Sequence, residues 1–267
     1  REIADFAAKG NAMFFDEVLF ARALCRVYNT PQPAQDERGG AVTGYSRIRS
    51  VIDSAGKGYL SPDNVTELLD ASGIARVTEV VVISADEAAA EASGMGFPVV
   101  MKVVGPVHKS DIGGVALNVS SEEEARREFI RMITLEGVTG ILIQKMISGR
   151  ELFCGAKRED KFGHLIMAGL GGIFIEVFKD VATCLAPVSE SEALSMIRSL
   201  KSYKIIKGIR GSAGLNEEAF VRVITSLSDL LAAAPEIYEM DINPLLAEGD
   251  NIVAVDARIR IEVVGSM

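Results

Sequence analysis

The chain has no tryptophan, and aromatic residues make up only 6% of its 267 positions. With 48% hydrophobic and 24% charged residues, this is the profile of an Ala/Val/Ile-rich α/β protein, soluble and globular. An excess of positive charge is also lacking. The net charge is −9 and the pI near 4.9, so neither a nucleic-acid backbone nor an anionic membrane is expected as partner, although local basic sites remain open. Cysteine is scarce: Cys25, Cys154 and Cys184 are far apart, odd in number and outside any CxxC or Cys/His spacing. That excludes a disulfide framework and a zinc site and fits a reducing cytoplasm. There is no secretory signal and no apolar run of about 18 residues, so no membrane span is expected. Ser/His/Asp elbow, HExxH, Rossmann GxGxxG and Walker lysine patterns are all missing, as is any internal repeat.

What is present begins with a helical pattern, FFDEVLFARALCRVY, within residues 1 to 30. The Pro-, Gly- and charge-rich PQPAQDERGGAVTG follows and marks a linker, which places a boundary near residue 45. The N-terminal piece is too small to stand alone, so its apolar face is expected to serve a preceding domain. A start at Arg1 and an end at Gly-Ser-Met suit a piece excised from a longer protein. Beyond the linker, Ser61, Pro62 and Gly73 bracket a short helix as N-cap, first turn and stop. Strand EVVVI from Glu79 precedes a helix opened by a Ser84/Glu87 capping box, and a Ser120/Glu123 box is expected to open another over 121 to 135. Strands ILIQKM, RELFCGAKR, HLIMAG and VATCLAPV follow. A Ser189/Glu192 cap, a long helix from Asn216 and two closing strands, IYEMDINPLLA and NIVAVDARI, complete an α+β pattern with two lobes.

Two places promise chemistry. Phe97 to Val119 reads as a hairpin with Lys102 inside its first strand and His108 on the polar loop. Burying an ammonium is costly unless an anion meets it, so Lys102 is expected to face a cleft that takes phosphate or carboxylate. A lysine on a half-exposed strand and a solvated loop histidine would read the same way. Near the C-terminus, Asp241 with Asn243 and Asp256 with Arg258 each place i and i+2 side chains on one strand face. Their oxygens suit Mg²⁺, which needs only one or two protein ligands beside phosphate and water. Ordinary turn chemistry accounts for Asp and Asn there as well. Gly169, Gly171 and Gly172 follow an apolar strand, where bare backbone can approach phosphate or simply make a tight turn. Glu176, Lys179, Asp180 and His164 read as solvated positions.

From about residue 58 to 261, the motifs VVMKVVGP, HKSDIGGV, GRELFCG, GLGGIFIEVFKDV, LAPV, GIRG, DINPL and VDAR occur in the order seen in the ATP-grasp domain of ADP-forming acyl-CoA synthetases, relatives of succinyl-CoA synthetase. The chain closely resembles that family over about three quarters of its length. The resemblance implies an ATP-grasp fold, two lobes enclosing a nucleotide cleft, with a helical N-terminal extension. The small lobe would run from about 75 to 146 and the large lobe over about 46 to 74 and 147 to 264, with residues 1 to 45 the tail of a CoA-ligase region. It implies ATP or ADP with Mg²⁺: Lys102 on the phosphates, Gln144, Lys145 and Met146 as the hinge touching adenine through backbone, Glu151 on the ribose side, and Asn243 and Asp256 as metal ligands. His108 matches a phosphorylated histidine that ferries the phosphoryl group, Asp241 attends the incoming phosphohistidine, and Gly171 and Gly172 line its path.

The implied activity is the reversible conversion of acyl-CoA, ADP and phosphate to acid, CoA and ATP, with this chain one part of an oligomeric enzyme. Its partners would be CoA-binding and CoA-ligase domains, or a subunit, carrying a first phosphohistidine, and the substrate an acyl-CoA or carboxylic acid. Three positions depart from the pattern. Six residues take the chain from Lys102 to His108, two fewer than in most relatives, a reach of at most about 20 Å. Cys184 stands where many relatives have arginine, removing a possible phosphate contact, and Ala75-Arg76 replaces Ile-Pro without expected consequence. An ATP-grasp carboxylate–amine ligase and a non-catalytic nucleotide-sensing module are the alternatives.

Overall fold

In the computed structural model, residues 2–10, 12–29, 42–105, 112–172, 175, 177–208 and 214–262 are described. The chain divides into two units, Arg1–Glu37 and Arg38–Met267. The first contains α1 (Glu2–Ala8) and α2 (Glu17–Tyr28), the latter capped by the Asp16 carboxylate on the Leu19 N–H. Leu19, Leu24 and Tyr28 of α2 and Phe15 just before it are exposed.

The second unit holds two antiparallel sheets, each with its own core. α3 (Tyr45–Ser54), β1 (Gly58–Tyr59) and α4 (Pro62–Ser72) lead into the smaller one. As the sequence indicates, α4 starts at the Ser61 cap with Pro62 in its first turn and stops at Gly73, whose φ of 74° is open to glycine at little cost. The smaller sheet comprises β2 (Glu79–Val82), β3 (Val99–Val104), β4 (Val115–Val119) and β5 (Gly140–Lys145) in the order β2-β5-β3-β4. α5 (Ala85–Met95) and α6 (Glu122–Ile133) cover one face of it. The α6 cap is one residue later than expected. Ser121 accepts from the Glu124 N–H at 3.2 Å, and Glu124 reaches back to Ser120 N–H and Oγ, because this frame lays Ala125, Phe129 and Met132 on the core.

The larger sheet collects β6 (Arg150–Glu159), β7 (Gly163–Leu170), β8 (Val181–Leu185), β9 (Ile237–Glu248), β10 (Asn251–Ala254) and β11 (Ala257–Ile261) in the path β1-β11-β9-β6-β7-β8, with β10 paired to β9. α7 (Glu190–Ser199), α8 (Tyr203–Lys207) and α9 (Glu217–Ala233) accompany it. The Ser189/Glu192 capping box is complete, and Val221, Ile224, Leu227, Leu230 and Leu231 line the buried stripe of α9. The expected single strand NIVAVDARI breaks at Val255-Asp256 into β10 and β11. Val255 N–H donates to the Pro244 carbonyl and Asn243 N–H to the Asp256 carbonyl, both at 3.0 Å, so the break is a held corner.

Two positions read as solvated are buried. Asp180 accepts the N–H groups of Lys201 and Ser202 at 3.0 and 2.8 Å; burial alone would raise its pKa, but these bonds prevail and hold it below the ordinary carboxylate range. His164 lies 2.6 Å through Nε2 from the Ile237 carbonyl, which can only accept, so Nε2 carries a proton and donates. Burial, helped by Arg158 and opposed by that bond, pushes its pKa below the ordinary 6.5. The unfolded chain then takes up a proton that the native ring refuses, so stability should fall as pH drops below about 6.5. Thermal denaturation across pH should show this decline, and His164→Asn should flatten it.

Candidate active site

Lys102 is placed by strand alternation. Val99, Met101 and Val103 are fully buried beneath α5 and α6, which turns Val100, Lys102 and Val104 to the opposite face. There the Lys102 side chain is 7% exposed, and its ammonium donates to the Val255 carbonyl at 3.1 Å. Gln144, also on that face, donates from Nε2 to the same carbonyl at 2.9 Å and to the Glu79 carboxylate. Glu79 in turn accepts from Thr66 Oγ of α4 at 3.0 Å. Two strands of the smaller sheet thus meet one corner of the larger one, and a third braces Gln144 from behind.

That corner carries the expected metal ligands. The Asn243 N–H bond to the Asp256 carbonyl holds the two residues side by side, and Asp256 directly follows the Val255 carbonyl that Lys102 touches. Asp241 lies opposite Arg258 of β11 and Gly155 of β6 on the adjoining strands. Its Oδ1 is buried and has no hydrogen-bond partner among the described residues. Burial pushes its carboxyl above the ordinary range; Arg258 opposes this, and Asp256 and Glu239 add to it. A cavity of about 370 Å³ opens beside this corner, lined by Arg76, Glu79, Val104, Gly105, Asp256 and Arg258 among others. Gly105, which lines this cavity, is the last described residue before the segment carrying His108, and His108 itself is outside the described residues.

The hinge residues close β5. Gln144 pairs with Glu79 on one side and Val100 on the other. Met146 N–H is taken by the Pro98 carbonyl at 3.1 Å. Because hydrogen-bonded and open pairs alternate in an antiparallel ladder, the Lys145 peptide groups then turn away from β3, past the end of β2. Gly171 and Gly172 are needed for a close approach to Glu151. Gly171 N–H donates to the Glu151 carbonyl at 2.9 Å, and a Cβ on Gly172, at φ +56°, would lie 2.6 Å from Glu151 Oε2. Glu151 and both glycines therefore form one cluster; Glu176 lies outside the described residues.

Some features were not visible in the sequence. Glu79 begins an unremarkable strand, and only its register opposite Gln144 reveals its use. Arg76, expected to be without consequence, forks onto both oxygens of Asp70 at 3.0 Å and lines the cavity. Cys184 is paired with Ile166 and packs against the helix-covered core, whereas Asp241 points from the other face.

The residues fit a hard cation. Among the described residues no group of three or more His, Cys, Asp or Glu could hold a metal ion. Asn243 and Asp256 instead offer two oxygen donors with Asp241 adjacent, which matches Mg²⁺ completing its shell with phosphate and water and not an all-protein cage. Both neighbours of the Gln144 amide nitrogen are acceptors, which fixes the amide's orientation and leaves Oε1 as a buried acceptor with no partner among the described residues.

Residues 52–261 match the model of the ATP-grasp domain. The chain belongs to the ATP-grasp family. This ATP-grasp chain is 40% identical over 229 residues to the acetate–CoA ligase [ADP-forming] I subunit beta of Pyrococcus furiosus, covering 80% of this chain and 97% of that one. It is 39% identical to acetate–CoA ligase [ADP-forming] I of Archaeoglobus fulgidus, over 72% of this chain but 29% of that longer protein. The dinucleotide-forming acetyl-coenzyme A synthetase 1 of Ca. Korarchaeum cryptofilum was solved with coenzyme A and Mg-AMPPCP, its phosphohistidine segment pointing towards the nucleotide-binding site. A chain of that structure superposes with a TM-score of 0.70 at 36% identity, over 82% of this chain and 100% of that one. No helix among the described residues is long and apolar enough to cross a membrane.

The raised pKa of Asp241 has a stability consequence. Between the ordinary carboxylate value of about 3.9 and its higher native value, the unfolded chain ionises first, so the group lowers stability as pH rises through that window. Asp241→Asn is expected to raise the melting temperature of the nucleotide-free protein at pH 7 and to lose that advantage near pH 4, as measured by calorimetry.

Proposed function

We propose that this chain is the nucleotide-binding, phosphoryl-transferring part of an ADP-forming acyl-CoA synthetase, which converts acyl-CoA, ADP and phosphate reversibly to acid, CoA and ATP. The observation that carries the proposal is the meeting of Lys102 and Gln144 with the Val255 carbonyl, one residue from Asp256 and beside Asn243. That arrangement supports a phosphate-binding cation and a metal-binding pair on opposite walls of one cleft.

In this assignment Lys102 neutralises nucleotide phosphate, and Asn243 and Asp256 hold Mg²⁺. When bound, Mg²⁺ supplies charge neutralisation to the phosphate oxygens. Lys145 offers backbone groups to the base, Gln144 Oε1 suits a base that brings a donor, as a 6-aminopurine does, and Glu151 lies on the ribose side with Gly171 and Gly172 folded against it. His108 carries the phosphoryl group. In the ATP-forming direction its P–N bond breaks as a β-phosphate oxygen of ADP forms the new P–O bond, and the imidazole keeps the electron pair and takes a proton. Asp241, half-buried and raised in pKa, attends the arriving imidazole.

The partner is a CoA-binding and CoA-ligase region, on another subunit or in a longer polypeptide, that carries the first phosphohistidine and supplies the acyl pocket. The domain layout follows the same assignment, with a border near residue 45 and the smaller lobe over about 75 to 146. It is supported by Ile48, Val51 and Ile52 of α3, which join the core of the larger sheet. The compartment implied is the cytoplasm.

Calorimetry with Mg·ADP should show binding to the chain itself, and Lys102→Met should weaken it by roughly tenfold or more, the worth of a charged hydrogen bond. With the CoA-ligase partner supplied, His108→Asn should keep Mg·ADP binding but abolish the acid-labile, base-stable phosphoprotein and turnover. Full turnover by that variant would overturn the assignment in favour of direct acyl-phosphate formation. Binding without any phosphotransfer by the wild type would favour a sensing module.

A further inference from the structure

Glu79 has no place in the chemistry above, yet it holds the glutamine that meets the metal-binding corner. Its carboxylate takes one hydrogen bond from Thr66 Oγ of α4 and another from Gln144 Nε2. The same Gln144 nitrogen reaches the Val255 carbonyl at 2.9 Å, and Val255 N–H is tied to the Pro244 carbonyl at 3.0 Å. A continuous relay therefore runs from α4 through β2 and β5 to the peptide that precedes Asp256. Gln144 is 2% exposed, so its amide cannot exchange these partners for water without opening the interface between the sheets.

We propose that Glu79 is a positioning residue for the metal-binding corner. By holding the Gln144 amide with its N–H groups towards Val255, it fixes the Val255-Asp256 peptide against the smaller sheet. Lys102 donates to the same carbonyl at 3.1 Å, but it is also the cation that nucleotide phosphate would draw on. An ammonium competes among several acceptors as a point charge, whereas the amide of Gln144 is held between two fixed acceptors. The Glu79–Gln144 pair therefore keeps Asp256 in register when the phosphates engage Lys102. Glu79 lines the cavity, but its hydrogen bonds go to Thr66 and Gln144, so in this proposal it acts through Gln144 and the backbone.

This inference rests on the nucleotide and metal assignment of the preceding section, and its test separates the two. Binding of ADP is measured by calorimetry across a Mg²⁺ series, on the full chain, for wild type, Glu79→Met and Glu79→Gln. Methionine keeps the volume and removes both acceptors. Glutamine keeps an acceptor for Gln144 and turns its own amide to Thr66 Oγ. Glu79→Met should raise the Mg²⁺ concentration for half-maximal enhancement of ADP binding by roughly three- to tenfold, the worth of one buried hydrogen bond, while ADP affinity without metal changes less than about twofold. Glu79→Gln should stay within about twofold of wild type on both. Should Glu79→Met fail to fold, Thr66→Val, which removes the far anchor of Glu79, should shift the Mg²⁺ dependence in the same direction by a smaller factor. Equal weakening with and without metal would show a merely structural role and overturn the proposal, as would unchanged Mg²⁺ dependence in Glu79→Met or in the fallback variant. Wild-type protein that fails to bind Mg·ADP would instead overturn the underlying nucleotide assignment.

Discussion

A single carbonyl, that of Val255, receives both a lysine ammonium and a glutamine amide from the opposing sheet, and much of the site follows from that contact. A buried ammonium is tolerated only where acceptors meet it. Here one acceptor belongs to the residue before Asp256, so the requirement that satisfies Lys102 also brings the cation to the metal-binding corner. Thr66 and Glu79 brace the arrangement from behind, which makes the interface a hydrogen-bonded junction and not a loose apolar contact.

The larger sheet shows how one strand pattern serves core and chemistry together. Leu152, Cys154, Ala156, Met240 and Ile242 turn to the helix-covered face and are almost entirely buried. Their alternates, with Glu239, Asp241, Asn243 and Arg258 among them, occupy the other face. Asp241 is held there with a raised pKa and an oxygen that has no hydrogen-bond partner among the described residues. Such a group is costly in a resting fold and useful where a positively charged or protonated partner arrives. Local conflicts of this kind are where functional sites are expected in a fold that is otherwise consistent.

Much of the architecture was legible because local rules were strong. Ser61, Pro62 and Gly73 define their helix, the Ser189/Glu192 box is realised in full, and the stripe from Val221 to Leu231 is the buried face of its helix. The α6 cap moved by one residue because Ser120 and Ser121 are both competent, and packing of Ala125, Phe129 and Met132 chose between them. His164 and Asp180 read as solvated because nothing in their neighbours announces the Ile237 carbonyl or the Lys201 and Ser202 N–H groups, which come from distant segments. Alternation likewise fixes which residues share a face, as Cys184 does with Ile166, but only the packed sheet shows which face the helices cover.

By itself, the sequence determined the two-lobed α+β pattern, the lysine-bearing strand, the oxygen-rich strand ends and the family, since each is written in spacings of a few residues or in the order of short motifs. Tertiary structure alone decided that Glu79 meets Gln144, that both Gln144 and Lys102 meet Val255, and that Arg76 lines the cavity. Those contacts join residues up to 153 positions apart, and no local propensity encodes them. They arise because two sheets, each burying one face under helices, are left with their polar faces to satisfy against one another.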